Sequence, residues 1–184
     1  MNPSKTELII VLDRSGSMGV IKKDMEGGLK SFIEKQKTLP GECLVSVYQF
    51  DDRYETVFET RPIKDVGDIP LEPRGWTALH DAMGKTINAV GARLAKTPEA
   101  DRPTLVMVMT ITDGAENASK EFTAATIKEL VERQTKVYKW DFTFLGANQD
   151  AVLTAQSLGI SGAKSMTYNA TAGGSRNLFA SVSN

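Results

Sequence analysis

Three oxygen-bearing side chains stand at alternate positions in "LDRSGSM", residues 12 to 18: Asp13, Ser15 and Ser17. A turn uses such residue types, but it does not need a carboxylate and two hydroxyls at a spacing of two. As a chain curls out of a strand, that spacing can bring all three oxygens toward one point, and Gly16 and Gly19 let the backbone bend there. Two further donors lie downstream, Thr77 in "GWTALHDA" and Asp113 in "ITDG". Two carboxylates and three hydroxyls are hard ligands of the kind that suits Mg²⁺. Neither imidazole nor thiolate joins them, which disfavours zinc or copper.

Such donors act together only if the fold gathers them. "ELIIVLD" (7 to 13) and "TLVMVMTIT" (104 to 112) are apolar runs of strand length, the pattern of strands buried on both faces. "ECLVSVYQF" (42 to 50) is a strand, and "DDR" turns from it into "YETVFET" (54 to 60), a short edge strand. Ile21, Met25, Leu29, Phe32 and Ile33 recur at helical spacing, as do Leu79, Met83, Ile87, Val90 and Leu94 in a helix beginning at Thr77. Residues 61 to 76, rich in proline and glycine, read as a loop. Beyond Asp113 the pattern predicts a helix over 120–134, a strand over 137–146, a short helix over 149–158 and a strand over 163–168. A closing helix is expected within "TAGGSRNLFASVSN". Alternating strands and helices imply a three-layer, doubly wound α/β domain with a mostly parallel sheet, one antiparallel edge strand and helices on both faces. One domain over residues 1–184 is expected. Ligands of such sheets bind at the carboxyl ends of the strands, where the candidate donors lie.

"DRSGS", then "GWTALHDA", then "ITDG" resembles a von Willebrand factor type A (VWA) domain with an intact metal-ion-dependent adhesion site (MIDAS). That motif has the form D-x-S-x-S, then a distant Thr and a distant Asp. The resemblance runs from about Glu7 to about Gly162 and implies the Rossmann-like VWA fold. It implies Asp13, Ser15, Ser17, Thr77 and Asp113 as the metal ligands, with Mg²⁺ or Mn²⁺ ahead of Ca²⁺ as the ion. It also implies a non-enzymatic protein–protein interaction module, in which the cation receives a Glu or Asp side chain of a partner. The stand-alone intracellular members found in bacteria and their phages act as adaptors or assembly factors, some beside AAA+ ATPases. The sequence departs from the family where Trp76 replaces a common glycine and His80 a common tyrosine; neither is a ligand.

Blander readings exist for each residue. Asp13, Ser15, Ser17 and Thr77 could be helix caps, and Asp113-Gly114 a turn. Asp51 and Asp52 read as a hairpin turn ahead of acceptors for metal-bound water. Asp81 favours the helix dipole, His80 reads as a structural or rim residue, and Glu116 and Asn117 as a solvated loop. Asn148 reads as the cap of the short helix. Trp76 either faces a partner from the rim or packs inward to fix its loop. The rival function is a Mg²⁺-dependent hydrolase or phosphotransferase. It lacks the Asp-x-Asp of a dehalogenase-type phosphatase, because Ser15 takes the second place. It lacks a nucleophile elbow, a P-loop and a G-x-G-x-x-G fingerprint as well.

Composition bounds the rest. The 184 residues carry 22 basic and 23 acidic side chains, for a net charge of -1, which argues against a nucleic-acid partner. The single Cys43 allows no intrachain disulfide and reads as a small buried hydrophobe. "MNPSKTE" has no signal-peptide core, and no apolar run is long enough to span a bilayer. The expected location is the cytoplasm, that of the host if the chain is phage-encoded, with no membrane partner.

Overall fold

The apolar run that opens the chain becomes the centre of the sheet. In the computed structural model, which describes residues 5–147 and 150–168, β1 (Lys5–Asp13) pairs in parallel with β2 (Glu42–Phe50) on one side and β4 (Leu105–Thr112) on the other. The antiparallel β3 (Tyr54–Pro62) closes the β2 edge, while β5 (Asp141–Ala147) and β6 (Ser165–Tyr168) extend the β4 side in parallel. The strand order is β3-β2-β1-β4-β5-β6. Connections leave β1 in opposite directions, so the switch point lies between β1 and β4, at the ends carrying Asp13 and Asp113.

Alternation along β1 explains why its sequence is apolar from Leu8 to Leu12. Leu8, Ile10 and Leu12 face the cluster around α1 (Lys22–Gln36), with Met25, Leu29, Phe32 and Ile33. Ile9 and Val11 face the other cluster, with Leu79, Met83, Ile87 and Val90 of α2 (Leu79–Lys96) and Ile127 and Val131 of α3 (Ala124–Tyr138). The short α4 (Ala151–Ser157) adds Ala151 and Ala155 to that second layer. The architecture is the three-layer α/β arrangement expected.

Boundaries differ in instructive places. The helix expected over 120–134 runs over 124–138, because Thr123 and Thr126 form a reciprocal capping box that starts it later. Lys139, in the left-handed conformation at φ 59°, then ends it. Val137 and Tyr138, expected to open a strand, are therefore exposed on the last helical turn. Of the loop expected over 61–76, residues 61 and 62 extend β3, paired with Val45 and Leu44, and Ile63–Asp65 form a 3-10 turn. Asn148 and the expected closing helix lie outside the described residues. Among the described residues, no helix is long and apolar enough to cross a membrane.

Both apolar layers are complete without any ion, so metal removal should leave the fold standing. Thermal melts in EDTA are expected to show one cooperative transition, as in Mg²⁺, unlike a zinc finger that unfolds when stripped. A chain already unfolded in EDTA would contradict this.

Candidate metal centre

Asp13 is the last residue of β1 and is fully buried. Its Oδ1 accepts from the Ser15 amide at 2.6 Å, which sets the turn out of the strand. Its Oδ2 accepts from the hydroxyl of Thr112, the last residue of the neighbouring β4, also at 2.6 Å. Beyond Ser15 the chain forms a 3-10 turn, Gly16–Val20, that places Ser17 beside Ser15 with hydroxyls 3.2 Å apart. The Ser17 hydroxyl donates to Asp113 Oδ1 at 2.7 Å.

Thr77 completes the group from a third loop. A methyl group built on Gly114 would stand 3.2 Å from Thr77 Oγ1, 3.6 Å from Ser17 Oγ and 4.0 Å from Ser15 Oγ. Three hydroxyls thus border one small space that only glycine leaves open. The helix-cap readings fail here. Ser15 caps the 3-10 turn without a side-chain hydrogen bond, and the caps of α1 and α2 are Ile21 and Ala78, without side-chain bonds of their own. All five residues singled out by sequence meet at one edge of the sheet. Among the described residues, no three acidic, histidine or cysteine side chains form a ligand cluster; the donor set here is two carboxylates with three hydroxyls. That chemistry and that cradle fit a divalent cation with a preference for oxygen.

Residues that sequence reasoning missed hold the loops in place. Arg14, between two of the donors, turns away from them: Nε donates to Asp51 Oδ2 at 2.9 Å and Nη1 to Glu55 Oε2 at 2.6 Å. Arg74 reaches the same two carboxylates from the loop before Thr77, at 2.8 and 3.1 Å. The Arg74 amide bonds to the Arg14 carbonyl, and the Gly16 amide to the Gly75 carbonyl. Asp51 does make the expected turn, accepting from the Arg53 amide at 2.6 Å, but its buried carboxylate also joins this four-membered ion network. Against the burial that raises it, the hydrogen bond from Arg74, the Arg53 amide and the Arg14 charge hold Asp51 below the usual carboxylate range.

The loop after Asp113 is built, contrary to its reading as a solvated segment. Asn117 Oδ1 accepts from the Thr77 amide at 2.8 Å. Glu116 accepts from the amides of His80, Ala118 and Ser119. Asp81 accepts from three successive amides, Lys120 to Phe122, each at 2.9 Å. Thr77 is therefore clamped from both sides, and Asp81 works on the neighbouring loop rather than at the cradle. Trp76 does not pack inward: it is 69% exposed.

Charge is distributed unevenly across this edge. Asp51 and Glu55 have arginine partners, whereas Asp13 and Asp113 have hydrogen bonds but no ion pair among the described residues. Burial pushes Asp13 up to about 6, against the Thr112 and Ser15 hydrogen bonds that lower it, with the nearby Asp113 charge adding to the rise. Burial raises Asp113 as well. Without a cation, burial makes ionising the central carboxyl costlier than it is in water.

Comparison with known proteins agrees on the architecture. No family model matches the chain, and no curated protein does. Among solved structures, proximal thread matrix protein 1 of the mussel byssus, with a zinc-occupied MIDAS motif, aligns with a TM-score of 0.67 at 17% identity, over 98% of this chain and 45% of that one. The ArnB paralog VWA2 of Sulfolobus acidocaldarius gives 0.66 at 16% identity, over 100% and 45%. A von Willebrand factor type A protein of Catenulispora acidiphila gives 0.64 at 16% identity, over 98% and 42%. This chain has the VWA fold, and it spans less than half the length of these three structures.

Two measurements check the site. Gly114→Ala puts a methyl group among the three hydroxyls and is expected to weaken Mg²⁺ binding about ten-fold or more in titration calorimetry, roughly 1.4 kcal/mol, with little change in the EDTA melt. The second is pH dependence. Because the folded pKa of Asp13 lies above its ordinary value, the metal-free protein is relatively stabilised by its proton below about pH 4. It loses that contribution as pH rises through about 6, an effect of roughly 3 kcal/mol. Added Mg²⁺ should therefore raise Tm at pH 7.5 and leave it unchanged at pH 5; an equal rise at both pH values would contradict the assignment.

Proposed function

We propose that this chain is a metal-dependent protein-interaction module. Asp13, Ser15, Ser17, Thr77 and Asp113 hold a divalent cation, partly through water, and a partner protein offers a Glu or Asp side chain to it. The observation that carries this reading is the meeting, at the switch point of the sheet, of three hydroxyls with two carboxylates that have no cationic partner among the described residues. When bound, the cation supplies a Lewis-acidic position open to an external carboxylate. The chain's own residues do the rest. Asp13 is fixed by Thr112 and Ser15, Thr77 by Asn117, and the two serines by a turn tied to Gly75. The site is thereby set before a partner arrives, and little ordering remains to be done on binding.

The zinc-occupied motif of the mussel byssus protein supports a divalent ion in such a fold. It also weakens the argument from soft ligands against zinc, so the choice among Mg²⁺, Mn²⁺ and Zn²⁺ falls to measurement. The hydrolase alternative gains nothing from the geometry. Both oxygens of Asp13 are occupied by donors, which suits a fixed ligand better than a nucleophile. The stand-alone adaptor or assembly role, with an AAA+ ATPase as one candidate partner, follows from the sequence resemblance alone and remains part of the proposal.

Asp13→Asn tests it. The amide keeps the side chain's shape and removes its charge. It is expected to abolish Mg²⁺ binding in calorimetry and to end Mg²⁺-dependent capture of the partner, while the Tm in EDTA at pH 7.5 holds or rises. Equal metal affinity in wild type and variant would sink the assignment.

A further inference from the structure

The rim of the site is apolar in a directed way. Of the large hydrophobic side chains on the surface, Val20 is 84% exposed and Trp76 69%. Both stand on loops that build the candidate centre, Val20 on the turn that carries Ser17 and Trp76 next to Thr77. In a 3-10 turn, side chains three residues apart eclipse one another. Ser17 and Val20 share one such face, while Ser15, Met18 and Ile21 share the other and are buried. Val20 therefore rises on the same exposed side as the Ser17 hydroxyl.

The two loops are joined. The Gly16 amide bonds to the Gly75 carbonyl at 3.2 Å, and a methyl on Gly19 would lie 3.8 Å from the half-buried ring of Pro73. Gly75 sits at φ +69°, with Asp52 against its backbone, and the Trp76 amide faces Asp52 Oδ1 at 3.4 Å. The backbone under Trp76 is thus held while its indole stands in water. An exposed tryptophan on a fixed loop has the character of an interface anchor.

On the reading that a cation occupies the cradle, we infer that Val20, Pro73 and Trp76 form an apolar strip selecting a partner segment whose carboxylate is flanked by large apolar side chains. Charge complementarity at the ion fixes the carboxylate, and the strip beside it matches apolar neighbours in an extended peptide.

Fluorescein-labelled, terminally blocked peptides Gly-Leu-Glu-Leu-Gly, Gly-Gly-Glu-Gly-Gly and Gly-Leu-Gln-Leu-Gly test this by anisotropy, in Mg²⁺ and in EDTA. In Mg²⁺ the Leu-flanked glutamate is expected to bind about ten-fold tighter than the Gly-flanked one. Trp76→Ala and Val20→Ser should each remove most of that preference while Mg²⁺ affinity and Tm hold. Equal binding of the two glutamate peptides in Mg²⁺, with EDTA and the Gln exchange still abolishing it, overturns the strip and leaves the metal–carboxylate reading intact. Binding that ignores EDTA or the Gln exchange overturns that reading and the strip with it. Mg²⁺-dependent self-association of the chain, lost in Trp76→Ala and showing no peptide preference, assigns the strip to a second copy and overturns a segment of another protein as its occupant.

Discussion

A carboxylate at the end of a strand buried on both faces is the constraint around which this edge of the molecule is arranged. Asp13 cannot move to water without unpairing β1 from its neighbours, and among the described residues no arginine or lysine pairs with it. Hydrogen bonds from Thr112 and Ser15 offset part of the desolvation, and the remainder appears as a raised pKa. Arg14, the next residue along, could have supplied the missing charge. Its guanidinium is instead drawn to the opposite side by Asp51 and Glu55. The cation next to Asp13 in the chain is thus committed to other carboxylates, and on the proposed reading an external ion would supply the charge that Asp13 lacks.

That same redirected arginine stiffens the site. Through Asp51 it ties the end of β2 to the turn after β1, and Arg74 brings in the loop before α2. Asn117 and Glu116 then lock the start of α2 to the loop after β4. Three separate loops become one scaffold through ion pairs and amide hydrogen bonds, added to the apolar packing of Met18 and Ile21 in one cluster with Val66, Ile69 and Leu71. A network of this kind positions side chains well because each group has few alternative partners.

What could be read in the sequence follows from range. The strands of the centre were legible because burial on both faces writes itself as a local apolar run, and the convergence of the five candidate donors because they sit directly at strand or loop ends. The start of α3 was misplaced because a Thr-x-x-Thr capping box looks like ordinary polar sequence, and its end because alternation in "VYKWDFTF" mimics a longer strand. Arg14 pairs with residues 37 and 41 positions away and Asn117 with one 40 away. Nothing in local spacing marks such partners. A signal was present all the same: an arginine inside a candidate metal motif is a charge that has to be placed somewhere, and two aspartates at the adjoining strand end were the nearest acceptors.

The balance of charge also bears on how a partner would be chosen. Two carboxylates bring as much negative charge as a divalent cation brings positive, so long-range attraction for a third carboxylate is weak. The exposed Asp52 and Glu72 nearby do not add to it. On the proposed reading, a partner's acid would be favoured chiefly at contact, where an open coordination position would accept it, and contact-range forces would have to distinguish one exposed acid from the many that proteins carry. Apolar burial has the required short range and grows with the area matched. An exposed indole and an exposed valine on tethered loops beside the cradle would supply that area where the electrostatic field is least selective.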